Sequence, residues 1–210
     1  MSFFDAVKDR LDMVRRLAPK NLKALADVRL STLVNAELSR ARRRVNALKE
    51  RYPSAEPREL AQRLIDEKKS VAGMVGGISG VFGAVTVPAD LLVMVYLQVV
   101  LLVEVATLYD ANVKTASAQR ELLDLFGEAN GLGPTARSSP KVLGQLAALL
   151  LKRGGLPLLG RAMPLVAAPI SAYLNNKHIQ TVGDEAVRHY QGFRATKAKS
   201  RKRKESEGHS

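Results

Sequence analysis

The chain has 210 residues, a formal net charge of +13, and neither cysteine nor tryptophan. This length is enough for one domain with a sizeable buried core that needs no metal or disulfide support. The lack of cysteine excludes disulfides, cysteine-based zinc sites and thiol catalysis, and it fits a reducing compartment.

The positive charge lies at both ends of the chain. Residues 1–70 and 151–210 carry +7 and +8, whereas residues 71–150 carry −2. Basic flanks of this kind favour anionic partners, either lipid headgroups or nucleic acid. Charged residues interrupt every apolar run near the start of the chain, so we expect no secretory leader and a cytoplasmic protein.

Apolar residues recur at helical spacing, and the breaks between them are marked by Pro and Gly. We therefore predict an all-α fold, a helical bundle around an apolar hairpin. Residues 2–17 are predicted to form an amphipathic helix, and residues 22–51 a second helix. The second helix should end at Tyr52-Pro53, because proline disfavours helix at the residue before it. It contains a basic cluster formed by Arg40, Arg42, Arg43 and Arg44.

The next helix is predicted to be capped by Ser54, with Pro57 in its first turn. Lys68 and Lys69 would lie near its end, where they suit the helix dipole. The 19 residues that follow, Val71 to Ala89, carry no charge. They contain five glycines, which are Gly73, Gly76, Gly77, Gly80 and Gly83. Small residues four apart let another helix approach closely, so we interpret these glycines as close-packing positions.

Pro88 is predicted to start an apolar helix that ends at Tyr109, so that the two limbs turn at Pro88–Asp90. The polar residues Asp90, Gln98 and Glu104 share an arc of roughly 120° on this helix. We expect them to contact other helices, since a bare carboxylate in hydrocarbon costs several kcal/mol. The length of the limbs suits a membrane hairpin, whereas the glycines and polar residues suit a buried one. The sequence leaves both open.

The remainder of the chain repeats this pattern. We predict a short helix over Ala116–Phe126, a loop over Gly127–Pro140 and an apolar helix over Leu143–Leu151. In the last helix Asn175 and Asn176 are candidate interhelical contacts, and Val182, Ala186 and Tyr190 mark the apolar face. From residue 193 we predict a disordered basic tail, because it holds too few apolar residues to form a core.

Two basic clusters are candidates for contact with anionic lipid or nucleic acid. One is Arg40, Arg42, Arg43 and Arg44, and the other comprises Lys199, Arg201, Lys202, Arg203 and Lys204. Clusters of this size beside apolar segments are typical of binding to anionic lipid. Nucleic acid is the alternative, although neither cluster holds an aromatic residue on which bases could stack.

Four features of residues 52–192 resemble a known family. They are Tyr52-Pro53 before a helix rich in Leu and Lys, the Gly-rich block with Pro88-x-Asp90 and its apolar helix, the segment LPLLGRAMPLVAAPISAYLNN, and the closing helix GDEAVRHY. Together they resemble the EcsC family of bacterial proteins, except that Asp110 stands where the family would have Gly. The resemblance implies a helical, membrane-associated protein with no catalytic residues to carry over. It divides the chain into basic helices over 1–51, the EcsC-like domain over 52–192 and the tail over 193–210.

The sequence therefore favours a non-enzymatic protein at the cytoplasmic face of the inner membrane, accessory to a transport or envelope system. Anionic lipid is the expected partner, and a protein partner is compatible with this role. We expect no cofactor and no metal, since His178 and His189 would lie ~16 Å apart along one helix. The alternatives are a nucleic-acid-binding protein that uses its tail, and a carrier or enzyme with a pocket near Asp90 and Gln98.

Overall fold

A computed structural model describes residues 30–82, 87–131 and 176–193, with the side chains of 31–73, 93–131 and 176–193. These ranges are all-α, which confirms the predicted fold class. The helices are α1 (Leu30–Arg51), α2 (Pro57–Phe82), α3 (Val87–Leu108), α4 (Ala116–Ala129) and α5, described over 176–193. The predictions for residues 2–17 and 22–29, the helix Leu143–Leu151, Asn175 and the tail from 194 onwards fall outside the described residues.

Helix α3 is the centre of the bundle. Every residue from Val93 to Tyr109 is buried except Thr107, which is half-buried. α1 and α2 pack along α3, and α4 contacts both α1 and α3. A helix that is apolar nearly all round must be covered on all sides, because its exposed surface would otherwise oppose folding. The central position of α3 follows from its composition.

Side-chain contacts fix the helix directions. α1 runs parallel to α3, since Glu37 lies beside Tyr96 and Arg44 beside Glu104. The turn after Arg51 reverses the chain, so α2 runs antiparallel to both. α5 runs antiparallel to α2, because Asn176 lies near Gly73 whereas residue 183 lies against Ile65. The C-terminal ends of α1, α3 and α5 therefore lie at the same end of the bundle.

The start of α2 differs from the prediction. The backbone N–H of Leu60 donates to the carbonyl of Glu56 at 3.0 Å, and the helix begins at Pro57. Glu56 is therefore the N-cap, and the prediction that Ser54 caps this helix is wrong. Proline decides the boundary because its fixed φ and missing N–H suit the first helical position.

The Gly-rich block belongs to α2 rather than to a separate limb. α2 runs without a break from Pro57 to Phe82, so Lys68 and Lys69 lie in its middle and their predicted place near its end is wrong. α2 ends at Phe82 and α3 begins at Val87. Pro88 and Asp90 lie in the first turn of α3, so the prediction that the limbs turn at Pro88–Asp90 is wrong. Glycine costs a helix up to about 1 kcal/mol per residue, but packing against a partner helix outweighs local propensity.

Helices α2 and α3 pack against each other, and the hairpin formed by the two apolar segments stays a prediction. Within the ranges that the structure describes, no helix combines the length and the apolar composition needed to cross a membrane.

Helix α4 begins at a cap and ends later than predicted. The Thr115 hydroxyl accepts a hydrogen bond from the Ala118 N–H at 3.2 Å, which satisfies one orphan donor of the first turn. Gly127 is buried within the helix, so the prediction that a loop starts there is wrong. The helix stops after Ala129, where Gly131 adopts a φ of 65° that favours glycine.

Candidate functional site

The four arginines of the basic cluster have different surroundings. Arg42 and Arg43 are exposed. Arg40 donates to Glu37 Oε1 at 2.6 Å and is partly exposed. Arg44 turns inward, and its side chain is only 13% exposed. The structure thus separates Arg44 from the surface on which the cluster was predicted to act.

Arg44 belongs to a buried charge cluster centred on Glu104. Its Nη1 lies 2.5 Å from Glu104 Oε1, and Lys68 Nζ lies 2.9 Å from Oε1 and 2.8 Å from Oε2. Glu104 and Lys68 are essentially inaccessible to water, at 1% and 0% exposure. Arg44 Nε also lies 3.6 Å from Glu67, which stands at the edge of the cluster. One carboxylate on α3 therefore joins α1 and α2.

The cluster balances two cations with two carboxylates in an otherwise apolar interior. An unpaired charge there would carry a desolvation penalty of several kcal/mol, and Arg44 and Lys68 offset that penalty for Glu104. This arrangement holds only when Arg44, Lys68 and Glu104 face one another. It therefore fixes how α1, α2 and α3 align along their axes.

A second polar contact joins α1 to α3 about two turns nearer the N-terminus of α1. The Tyr96 hydroxyl donates to Glu37 Oε1 at 2.9 Å, and both residues are buried. Glu37 also accepts from Arg40, so its charge is matched at the boundary between core and solvent. Because Glu37 points inward, Glu50 is the exposed carboxylate of α1.

The predicted polar arc on α3 does not converge on one place. Gln98 Oε1 accepts from Asn130 Nδ2 at 2.8 Å, next to the end of α4. Glu104 faces α1 and α2 instead, because the two residues lie at opposite edges of the arc. The side chain of Asp90 lies outside the described residues. A site that brings Gln98 and Glu104 together is therefore not formed.

The residue that packs closest among the described glycines was not predicted. A Cβ at position 183 would press on Ile65 Cγ1, stand 2.5 Å from Ile65 Cδ1 and 3.4 Å from Leu101 Cδ2. Gly183 thus lets α5 approach α2 and α3. The signal in the sequence is its place on the apolar face, next to Val182 and three residues before Ala186.

The predicted glycines have less crowded or undescribed surroundings. A Cβ at Gly73 would stand 3.9 Å from Asn176 Oδ1, which is an ordinary contact. Gly76, Gly77 and Gly80 lie in α2, but the space around them is outside the described residues, as is Gly83 altogether. Asn176 Oδ1 is buried, and no hydrogen-bond partner for it lies among the described residues.

His178, His189 and Tyr190 lie along α5. Burial, with the nearby charge of Lys177, lowers the pKa of His178. His189 Nε2 lies 2.6 Å from Glu121 Oε1 and ties α5 to α4 near the surface. Burial raises the pKa of Tyr190 well above its usual range, and the charge of Glu121 adds to the effect. The described residues hold no group of three or more acidic or histidine ligands that could bind a metal ion.

The exposed side of α1 is the one candidate interface that the basic cluster retains. We define the α1 basic face as Arg42, Arg43 and Lys49; Arg42 and Lys49 lie two turns apart and share one side of the helix. Two exposed carboxylates lie beside them, Glu50 on α1 itself and Asp110, whose Oδ1 lies 3.9 Å from Lys49 Nζ. On α2, by contrast, exposed arginines alternate with exposed acids, as in the pair of Arg63 with Glu59 at 2.7 Å.

Fold and site together define an all-α protein with a buried charge cluster inside and a basic helix face outside. No protein-family model, curated protein or solved structure matches this chain.

Proposed function

We propose that this is a non-enzymatic helical protein that binds the anionic surface of a membrane through the α1 basic face and the basic C-terminal residues. The observation that carries the proposal is the sorting of charge on α1. Its inner charges, Glu37 and Arg44, are paired within the bundle, whereas Arg42 and Arg43 point outward. The exposed side of the helix is therefore left with an excess of positive charge.

Electrostatics gives this face its preferred partner. Each Lys or Arg near an anionic bilayer contributes ~1 kcal/mol of attraction, which salt screens within a Debye length. The C-terminal residues extend the same charge, with seven Lys and Arg between Arg194 and Lys204. The cytoplasmic face of the inner membrane is where we place the protein. Such a location fits an accessory role in a transport or envelope system, where a protein partner would also bind.

The membership of residues 52–192 in the EcsC family stays a prediction. It is supported by the motifs of the sequence, including the apolar helix that follows Pro88. The family relation and the lipid-binding role can be tested separately, since the binding proposal depends on exposed arginines outside the region of resemblance.

Vesicle binding tests the proposal directly. The full-length protein is floated with neutral vesicles and with vesicles that contain 30–50% phosphatidylglycerol, a range of roughly physiological surface charge. The variant Arg42→Gln/Arg43→Gln is expected to bind anionic vesicles roughly 30-fold more weakly, because two attractions of ~1 kcal/mol are removed. Binding should fall with added salt and be weak on neutral vesicles.

The matched control is Lys69→Gln/Lys177→Gln, which removes the same charge from the side of the bundle formed by α2 and α5. It should change binding about two-fold or less if the α1 basic face is the contact, since these residues lie away from that face. Equal losses in the two variants would show only a general charge effect and would refute the assignment to α1. Failure of the wild-type protein to float with anionic vesicles at low salt would refute the function.

The same variants address the nucleic-acid alternative. Double-stranded DNA and single-stranded RNA are titrated at several salt concentrations, and the slope of log K against log salt counts the phosphates contacted. Tight nucleic-acid binding that the Arg42→Gln/Arg43→Gln variant loses, together with absent vesicle binding, would replace the lipid proposal by the nucleic-acid one.

A further inference from the structure

Phe193 stands apart from the other large apolar side chains of the described residues. It is 50% exposed and is the one large hydrophobic residue among them that is exposed. It lies on the same face of α5 as Tyr190 and Ala186, three and seven residues earlier, both of which are buried. The apolar face of α5 therefore continues beyond the edge of the core, where the bundle no longer covers it.

Phe193 lies at the same end of the bundle as two exposed basic residues of α1. α5 and α1 run in the same direction, so Phe193 lies at the end of the bundle where Lys49 and Arg51 are exposed. In the sequence it is followed directly by Arg194 and the other basic residues of the C-terminus. An aromatic side chain followed in the sequence by several Lys and Arg is a composition also found in segments that lie in the membrane interface.

We infer that Phe193 is an interfacial anchor that inserts into the headgroup region of an anionic bilayer while the neighbouring basic residues bind the headgroups. This inference rests on the proposed function and adds an apolar contact to it. The partner to which this inference commits is a lipid surface, because transfer of the phenylalanine ring from water into the bilayer is favourable in proportion to its apolar area. Stacking of the ring on an unpaired base is the competing outcome, which the RNA arm of the test distinguishes. Charge brings the protein to the surface, and Phe193 prolongs its stay there.

A single tryptophan can report on this contact, because the natural chain has none. Phe193→Trp is titrated with vesicles of phosphatidylglycerol and phosphatidylcholine, and with the same lipids brominated on their acyl chains. We expect its emission to shift to shorter wavelength and to be quenched by the brominated lipids. The matched control is Thr181→Trp, an exposed position on the same helix that lies ~18 Å nearer its N-terminus. Its emission should not change.

Truncation tests how much the contact contributes. Phe193→Ala should weaken binding to anionic vesicles about five-fold, the loss expected for the exposed half of a phenylalanine. The ratio between wild type and variant should persist at high salt, unlike the effect of an arginine, because an apolar contact is not screened. Circular dichroism should show unchanged helix content, since the side chain is half exposed.

The outcomes separate this inference from the function on which it rests. If the protein floats with anionic vesicles but Phe193→Trp neither shifts nor is quenched, the anchor is refuted and the lipid-binding function stands. If the wild-type protein does not float at all, the function itself fails. A shift of Phe193→Trp that RNA produces and vesicles do not would refute the anchor as well.

Discussion

Arg43 and Arg44 are neighbours in the sequence, but their surroundings in the structure are opposite. Arg43 is exposed on the α1 basic face, whereas Arg44 reaches into the bundle and contacts Glu104. The difference arises from the 100° step between consecutive helical residues, which places one side chain toward solvent and the next toward α3. A run of basic residues on a helix is therefore two features, a surface that can bind anions and an internal ion pair.

The largest loss of stability is expected when Glu104 is replaced. Glu104→Ala leaves Lys68 buried without a carboxylate and Arg44 with only the partly exposed Glu67 at 3.6 Å. We expect the free energy of unfolding to fall by about 3–5 kcal/mol. Urea unfolding followed by circular dichroism measures the change. Glu128→Ala, which removes an exposed carboxylate from α4, should change it by less than about 0.5 kcal/mol.

Replacing the whole cluster is expected to behave differently from breaking it. Arg44→Met, Lys68→Met and Glu104→Leu together remove the charges that lie inside this cluster and leave only Glu67 at its edge. Stability should therefore return to the wild-type value or exceed it by up to about 4 kcal/mol. A triple variant as unstable as Glu104→Ala would contradict this explanation, since the loss would then come from packing rather than from uncompensated charge.

The two adjacent arginines give the sharpest test of the comparison itself. Arg44→Met should lower the free energy of unfolding by about 2–3 kcal/mol, because Glu104 keeps only Lys68. Arg43→Met should change stability by less than about 0.5 kcal/mol, as at other exposed positions. Vesicle binding should show the reverse order, with Arg43→Met weakened and Arg44→Met close to wild type. Equal effects on stability would remove the distinction between the two environments.

Two glycines extend the same contrast to packing, with a smaller effect. Gly183→Ala forces a Cβ against Ile65, and we expect a loss of about 1–2 kcal/mol. Gly73→Ala meets nothing closer than an ordinary contact, so the better helix propensity of alanine should raise stability by about 0.5–1 kcal/mol. Thermal and urea unfolding of both variants measure these changes in the free energy of unfolding. Stabilisation by Gly183→Ala would show that the space around position 183 adapts.

α3 ends at a residue in the left-handed backbone conformation, Asp110. The EcsC resemblance leads one to expect glycine at position 110, and Asp110 has a φ of 58°, in the left-handed region that favours glycine. The N–H of Ala111 donates to the carbonyl of Ala106 at 2.9 Å, which closes the helix around this residue. Aspartate is among the few residues other than glycine that visit this region readily, so it can hold this conformation at the end of α3.

The partners of the polar residues on α3 were beyond prediction. Glu104 was expected to contact another helix, but nothing in its own segment indicates Lys68 or Arg44 as its partners. Lys68 is predicted near a helix end, where it would suit the helix dipole, whereas α2 continues without a break to Phe82. Asn130 likewise reaches Gln98 only because α4 folds back along α3.

The sequence by itself determined that the protein is helical, that α1 ends before Pro53 and that α3 is apolar nearly all round. These features follow from periodicity, proline and composition, which act between residues a few positions apart. Only the tertiary structure decided that Arg44 faces inward, that Lys68 shares Glu104 and that Gly183 sets the distance of α5. Each of these depends on how helices far apart in the chain align, and a single side chain of suitable size or charge is then enough to fix the alignment.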